Sequence, residues 1–90
     1  MITKIPIGKI ASAKDVKDVG DAVLDARKRM LLKQSQAALL CGVGVRFLSD
    51  LENGKATLQI GKVLQVLDGL GLAAYVGTKQ PFWTENGQRA

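Results

Sequence analysis

The feature that most constrains this chain is a pair of short helical patterns joined at a glycine. Residues 34–54 read QSQAALLCGVGVRFLSDLENG. The first pattern ends at Gly42, because glycine readily adopts the left-handed conformation that terminates helices. The second pattern begins at Gly44, a suitable N-cap, and ends at Asn53-Gly54, a strong turn signal. Two short helices separated by such a turn define a helix-turn-helix, so we predict a mainly α domain built around this unit.

Two further helices are predicted on either side of this unit. The preceding helix has Asp18 as its N-cap and runs to Leu31, whereas the following helix begins after Thr57 and ends at Gly69 and Gly71. Both repeat apolar residues every three or four positions, which is typical of a helix with one buried face. The apolar stripes are Val19, Val23, Ala26 and Met30 in the preceding helix, and Ile60, Val63, Leu64, Leu67 and Leu70 in the following one.

Two short segments outside the helices have the composition of strands. Residues 2–7 (ITKIPI) alternate in polarity, but Pro6 restricts them to an edge strand or an extended arm. Residues 72–76 (LAAYV) are too short for a helix after two glycines, and a lone strand requires a partner edge. That partner is either the N-terminal segment or the same strand of a second subunit. A dimer would then be joined through Leu72, Ala74, Tyr75 and Val76.

The resulting domain organisation has four parts. We expect an N-terminal arm with a possible short strand over residues 1–17, a helix-turn-helix domain over 18–71, a dimerisation strand over 72–78 and a loosely ordered tail over 79–90. The tail is polar apart from Phe82 and Trp83, which either anchor a partner or pack on their own domain.

Composition argues against catalysis and for an anionic partner. The 90 residues include no His and a single Cys, and no phosphate-binding glycine loop is present, so we expect no enzyme activity, metal or cofactor. No apolar run is long enough to span a bilayer and no signal peptide is apparent, so we expect a cytoplasmic protein. The net charge is +5, and six of the thirteen cations lie between residues 27 and 55.

Several segments carry a more specific signal: Ala26-Arg27-Lys28-Arg29, Gln34-Ser35-Gln36-Ala37-Ala38, Gly42-Val43, Leu48-Ser49, Leu51-Glu52-Asn53-Gly54-Lys55 and Ile60-Gly61-Lys62-Val63-Leu64-Gln65-Val66-Leu67. Together they resemble the XRE/Cro-type helix-turn-helix transcriptional regulators, and most closely the HipB-like antitoxins. The resemblance covers residues 18–77 and implies a lambda-repressor-like fold of four to five helices with a short C-terminal strand. Two positions depart from the family pattern. Lys33 stands where Thr or Ser usually caps the helix, and Leu31 replaces a common glycine.

Base reading is expected from the exposed N-terminal part of the third helix. Arg46 is suited to bidentate donation to guanine, although a phosphate or solvent contact is the alternative. Val45 is suited to a thymine methyl group. Asp50 either accepts from cytosine or orients Arg46 four residues earlier. The predicted base-contacting residues are Gly44, Val45, Arg46, Ser49 and Asp50.

A second set of residues is expected to hold the DNA backbone. Gln34 lies in the first turn of its helix, where its amide is placed to donate to a phosphate. The resemblance implies that Arg27 pairs with Glu52, which would aim the guanidinium at the backbone. The backbone N–H groups of the Gly54 turn are also expected to donate hydrogen bonds to phosphates. The predicted phosphate-contacting residues are Arg27, Lys33, Gln34, Ser35, Phe47, Asn53 and Lys55.

Three functions remain open at the level of sequence. The resemblance implies a homodimeric repressor of a palindromic operator that also neutralises a HipA-like serine/threonine kinase toxin. A stand-alone regulator without a toxin partner is the second possibility. A protein-interaction adaptor that lost DNA binding is the third, and Gln34, Arg46, Asn53 and Lys55 argue against it because an adaptor has no need of a phosphate-facing set.

Overall fold

The computed structural model describes residues 12–77 and contains four α-helices in that range. α1 comprises Val16–Arg29, α2 Gln34–Cys41, α3 Val45–Glu52 and α4 Ile60–Gly69. α3 packs against both α1 and α2, and α4 packs against α2. The predicted mainly α fold with a central helix-turn-helix is confirmed. Within residues 12–77, no helix is both long enough and apolar enough to cross a membrane.

The hydrophobic core lies where the four helices meet. Its largest fully buried side chains are Leu48 and Leu51 of α3, Val23 of α1 and Val66 of α4. α2 contributes only small buried side chains, which are Ala37, Ala38 and Cys41. Since α2 adds little bulk, its neighbours can pack close to its backbone. This core leaves the opposite side of α3 facing solvent.

The two outer helices begin at residues other than the predicted ones. α1 starts earlier, because Asp15 is its N-cap and accepts a hydrogen bond from the backbone N–H of Asp18 through Oδ1 at 3.1 Å. The prediction of Asp18 as N-cap was therefore wrong. α4 starts later, with Gln59 rather than Thr57 at the N-cap. Leu58 packs against the core just before α4 begins, so residues 57 and 58 remain outside the helix.

The apolar stripes are partly as predicted. Val23 and Ala26 of α1 are buried, as are Val63, Leu67 and Leu70 at the other end of the domain. Ile60 and Leu64 are instead 68% and 48% exposed, and the fully buried position is Val66, which the predicted stripe omitted. The buried positions are thus 63, 66, 67 and 70. They are set by the packing of α4 against α2.

The predicted C-terminal strand is not formed among residues 12–77. Leu72 packs against the core, while residues 73–77 are exposed and have no strand partner within the described range. A strand is stable only when it hydrogen-bonds to a second strand. Residues 12–77 supply no second strand, which explains why the predicted one is not formed there. The predicted N-terminal strand and the tail with Phe82 and Trp83 lie outside the described residues.

The connection between α1 and α2 contains an unfavourable backbone conformation. Leu31 has a φ of 60°, and among residues 12–77 it is the one non-glycine residue with positive φ. Its side chain is 88% exposed, so no packing compensates for a conformation that costs an L-residue about 1–2 kcal/mol. The family resemblance implies a glycine at this position, and a glycine would adopt this positive φ without that cost.

α1 and α3 approach each other at Gly20. A Cβ added there would lie 2.1 Å from the backbone oxygen of Leu51. Because a backbone oxygen cannot rotate out of the way as a side chain can, any larger residue would push the helices apart. Periodicity alone did not single out this glycine, which fixes the distance between α1 and α3.

We expect Gly20→Ala to destabilise the domain by about 1–3 kcal/mol, through overpacking of α1 against α3. Gly61→Ala is the matched control, because a Cβ at this helical glycine meets nothing within 4 Å. Alanine is the better helix former by about 0.5–1 kcal/mol, so the control variant should be more stable than wild type. Urea unfolding followed by circular dichroism measures both values. Equal effects in the two variants would contradict the assigned contact.

Candidate nucleic-acid interface

The turn between α2 and α3 is held by backbone and side-chain hydrogen bonds. Gly42 has a φ of 74°, and the next N–H, that of Val43, donates to the Ala38 carbonyl at 3.0 Å. From α4, Nε2 of Gln65 donates to the carbonyls of Cys41 at 2.8 Å and Gly42 at 3.1 Å. The predicted left-handed Gly42 is confirmed. The contribution of Gln65 was missed, because a glutamine on a helix surface carries no sequence signal for capping a different helix.

The first turn of α2 is open to an anion. Lys33 is its N-cap, and the backbone N–H of Lys33 donates to Oε1 of Gln36 at 2.8 Å. This bond is half of a capping box. The first turn of α2 contains no acidic residue, and its leading N–H groups lack helical acceptors, as at every helix start. Such a terminus favours a phosphate by its backbone donors and its dipole.

α3 presents a polar, exposed side opposite its core-facing leucines. Gly44 is its N-cap, as predicted, and Leu48 and Leu51 face the core. Val45 is 45% exposed, and the side chain of Arg46 is 89% exposed. Ser49 and Asp50, one turn further on, are half-buried. All five predicted base-contacting residues thus reach the solvent-facing surface of α3.

Asp50 lies between two cations. Its Oδ2 is 4.0 Å from Nε of Arg46 and 3.7 Å from Nζ of Lys55. This geometry favours the orienting role over the cytosine-accepting one, because the carboxylate already has two positive neighbours. The contacts are long and largely exposed, so their value lies in directing the side chains rather than in stability.

A buried ion pair joins α1 to the end of α3. Nε of Arg27 donates to Oε2 of Glu52 at 2.6 Å, and Nη2 donates to Oε1 at 2.9 Å. Nη1 of Arg27 donates to the Leu32 carbonyl at 2.9 Å, and Nε2 of Gln34 donates to Oε1 of Glu52 at 2.9 Å. The two charged side chains are 12% and 5% exposed. The implied pairing of Arg27 with Glu52 is confirmed, and the Gln34 bond to Glu52 was not foreseen.

The ion pair shifts the titration of both partners. The hydrogen bond to Glu52 has the largest effect on the pKa of Arg27 and raises it above the ordinary value. For Glu52, burial is the largest influence and acts to raise the pKa. Hydrogen bonds from Arg27 and Gln34, with the charges of Arg27 and Lys28, act against burial, so the pKa of Glu52 lies below its usual range. Glu52 is therefore held as a carboxylate.

The remaining predicted backbone-contacting residues are engaged to different degrees. Nδ2 of Asn53 donates to the Ser49 carbonyl at 3.0 Å. The N–H groups of Gly54 and Lys55 donate to the carbonyls of Leu51 and Asp50, both at 3.0 Å. These two N–H groups close α3, so the expectation that the Gly54 turn offers them to phosphates was wrong. The side chains of Lys33, Ser35 and Lys55 remain exposed.

Phe47 has both a core side and a charged neighbour. It packs against the core as a half-buried residue, and Nζ of Lys62 lies 5.8 Å from the centroid of its ring. This distance is within the range of a cation–π contact. Lys62, on α4, adds a positive charge beside α3 that the sequence-based site did not include.

Comparison with known proteins identifies the family. The family model described as Helix-turn-helix matches residues 23–76. The chain belongs to the XRE-type helix-turn-helix family. It is similar to an HTH-type transcriptional regulator named y4mF and described as uncharacterized, from Sinorhizobium fredii (strain NBRC 101917 / NGR234). Over 54 residues the two are 56% identical, which covers 60% of this chain and 71% of the relative.

Two solved structures share the fold. One is a chain from the structure of a HipA-HipB-O2-O3 complex, and the other is described as MDT Protein. Each superposes with a TM-score of 0.70 and 17% identity, covering 79% of this chain and all of the other. The four-helix fold is thus that of HipB, as the sequence resemblance implied. Members of this family are DNA-binding transcription regulators.

Glu52→Gln should destabilise the domain by about 3–5 kcal/mol at pH 7, because it leaves the charge of Arg27 buried without a partner. The lowered pKa of Glu52 fixes the sign of the pH dependence. Its stabilisation is complete above the unfolded-state value, about 4.3, and is lost as pH falls through the folded-state pKa. The stability difference between wild type and variant should therefore shrink in acid. Denaturant titrations from pH 7 to pH 2.5 measure it.

Asp25→Asn is the control for this experiment. Asp25 pairs with Arg29 at 3.0 Å on the surface of α1, where both side chains are more than half exposed. An exposed pair of this kind contributes about 0–1 kcal/mol. A Glu52→Gln variant as stable as the control would rule out a structural role for the buried pair.

Proposed function

We propose that this chain is a dimeric transcriptional repressor that binds a palindromic operator and serves as the antitoxin of a HipBA-like toxin–antitoxin module. The observation that carries the DNA-binding part is the placement of Arg46. Its side chain is 89% exposed on α3, while Leu48 and Leu51 of the same helix are fully buried. An exposed arginine on a rigidly held recognition helix is suited to reading a base pair.

Direct base reading would come from the first turn and a half of α3. Arg46 would donate to O6 and N7 of a guanine, and Asp50 would hold the guanidinium in position. Val45 would contact a thymine methyl group, while Gly44 allows the backbone to approach the groove closely. Ser49 lies one turn behind and can donate to or accept from a base edge.

The surrounding residues would fix the position of the protein on the duplex. Lys33, Gln34 and Ser35 lie at the open end of α2, where backbone N–H groups add to their side chains. Asn53 and Lys55 lie at the end of α3, and the half-buried Phe47 within α3 would touch the backbone with its exposed part. Arg27 would act through the Glu52–Gln34 network, since its own guanidinium is bound on three sides.

Arg46→Ala and Lys33→Ala should separate base reading from backbone contact. Arg46→Ala should weaken operator binding by about 1–3 kcal/mol and have much less effect on unrelated duplexes. Lys33→Ala should weaken binding to all duplexes alike and reduce the salt-dependence slope by about one unit. Fluorescence anisotropy on specific and scrambled duplexes at several salt concentrations measures both. Uniform weakening by both variants would refute the base-reading role of Arg46.

Dimerisation follows from the small size of the reading surface. One recognition helix contacts only about four or five base pairs, and two-fold dimers place two such helices about 34 Å apart on a palindrome. Residues 73–77 pair with no other residue of the described range 12–77 and are exposed, Tyr75 and Val76 to 69% and 99%, so they are available for β-augmentation. Leu72 and Ala74 complete the proposed interface.

Removal of residues 72–90 should convert the dimer to a monomer, because the proposed pairing edge is lost. Sedimentation velocity across a range of protein concentrations distinguishes the two states. Circular dichroism of the same sample must show that the helices are intact. A folded, truncated chain that still sediments as a dimer would place the interface elsewhere.

The proposed toxin is a HipA-like serine/threonine kinase. Support comes from the fold shared with a chain of a HipA-HipB-O2-O3 complex over that chain's full length. The alternative is a stand-alone XRE-type regulator, which the y4mF relative equally allows. The two differ in whether a kinase binds this chain.

Co-expression with the kinase-like reading frame adjacent to this gene tests the antitoxin role. The kinase alone should stop growth, and the chain should restore growth and co-purify with the kinase. Arg46→Ala should retain this protection, because the toxin contact does not require base reading. Absence of such a reading frame, or no binding to its product, would favour the stand-alone regulator.

A further inference from the structure

An open groove lies on the side of the domain where α1 and α4 begin. Its volume is about 350 Å³, and its apolar lining comprises Val16, Val19, Ala56, Leu58, Ile60 and Val63. Ile60 is 68% exposed although it adjoins the core, and Val16, Val19 and Leu58 are only partly covered. Apolar surface of this kind is stabilised when another apolar group covers it. None of the DNA-reading residues of α3 lines this groove.

Chain connectivity brings one candidate occupant to its edge. Ala13, Lys14 and Asp15 complete the lining of the groove, and the residues immediately before them form an isoleucine-rich segment, MITKIPIGKI. An extended chain spans at most about 3.3–3.6 Å per residue, so Ile10 lies within about 11 Å of Ala13. Ile7 lies within about 22 Å on the same basis.

Charge complementarity favours the same occupant. The segment contains Lys4 and Lys9 and no acidic residue. Asp15 lies at the groove edge, and Asp18, which accepts from the backbone N–H of Lys14 at 2.7 Å, lies in the first turn of α1. Among the residues that the structure describes, Lys14 is the one positive side chain in the lining. The positive charge of the segment is therefore complementary to the carboxylates at this end of the groove.

We propose that the groove between α1 and α4 is the docking site of this chain's own N-terminal segment, with Ile7 and Ile10 as its anchors. In the docked state, Pro6 would disfavour a helix, and Gly8 would let the chain turn so that Ile7 and Ile10 both face the groove. Docking would join the start of α1 to the start of α4, two elements that are distant in sequence. Docking would stabilise the domain itself and would require neither an operator nor a toxin.

Methyl-labelled NMR of the full chain tests the docking directly. We expect nuclear Overhauser contacts from the methyl groups of Ile7 and Ile10 to those of Val19 and Val63. Dimers mixed from labelled and unlabelled chains distinguish contacts within one chain from contacts between chains. Contacts only between chains, or none at all, would overturn the proposal.

A double-mutant cycle in the full chain provides an energetic test. Ile7→Ser/Ile10→Ser should lower the ratio of folded to unfolded protein by about tenfold or more in wild type. In an Ile60→Ser background the same pair should lower it by less than about threefold, because the groove is already impaired. Leu64→Ser is the control, since Leu64 is exposed on α4 but does not line the groove. The full tenfold effect should persist in this background.

DNA is the competing occupant, because Lys4 and Lys9 could contact phosphates instead. The isoleucine variants should then leave unfolding unchanged and weaken DNA binding. That outcome would overturn the proposal. Unchanged DNA affinity together with the coupled loss of stability would support it.

Discussion

The contact between Arg27 and Glu52 joins α1 to the helix-turn-helix formed by α2 and α3. One carboxylate accepts from Arg27 of α1 and from Gln34 of α2, while it belongs to the last turn of α3. Arg27 also donates to the Leu32 carbonyl, in the connection between α1 and α2. Three helices and a connecting segment therefore meet at one ion pair. Because both side chains are nearly buried, the pair is far more sensitive to loss of one partner than a surface bridge would be.

The sequence contained most of the fold because its strongest signals were local. The left-handed Gly42 and the N-cap at Gly44 depend on neighbouring residues and were both predicted correctly. Helix ends and buried faces that depend on tertiary packing were less accurate. Whether Val66 or Leu64 of α4 is buried is decided by the position of α2, and a period of 3.6 residues fits either choice.

The exposure of the candidate site residues on α3 was predictable from sequence, but the contacts among the site residues were not. Exposure of Val45 and Arg46 follows from the periodicity of α3, whose leucines define the buried side. The contact of Gln34 with Glu52 spans 18 residues, and that of Gln65 with Cys41 spans 24. Each contact joins two different helices, so the repeat within one helix does not reveal it. Such contacts arise only when the helices are assembled, so no local pattern reports them.

The close approach at Gly20 has a consequence for how DNA specificity can change. With Gly20 against the backbone of Leu51, α1 and α3 touch here through main-chain atoms, and no side chain at position 20 sets the distance between them. If α3 reads DNA as proposed, new operators would be acquired by exchanging its solvent-facing side chains, which leaves this contact with α1 unchanged.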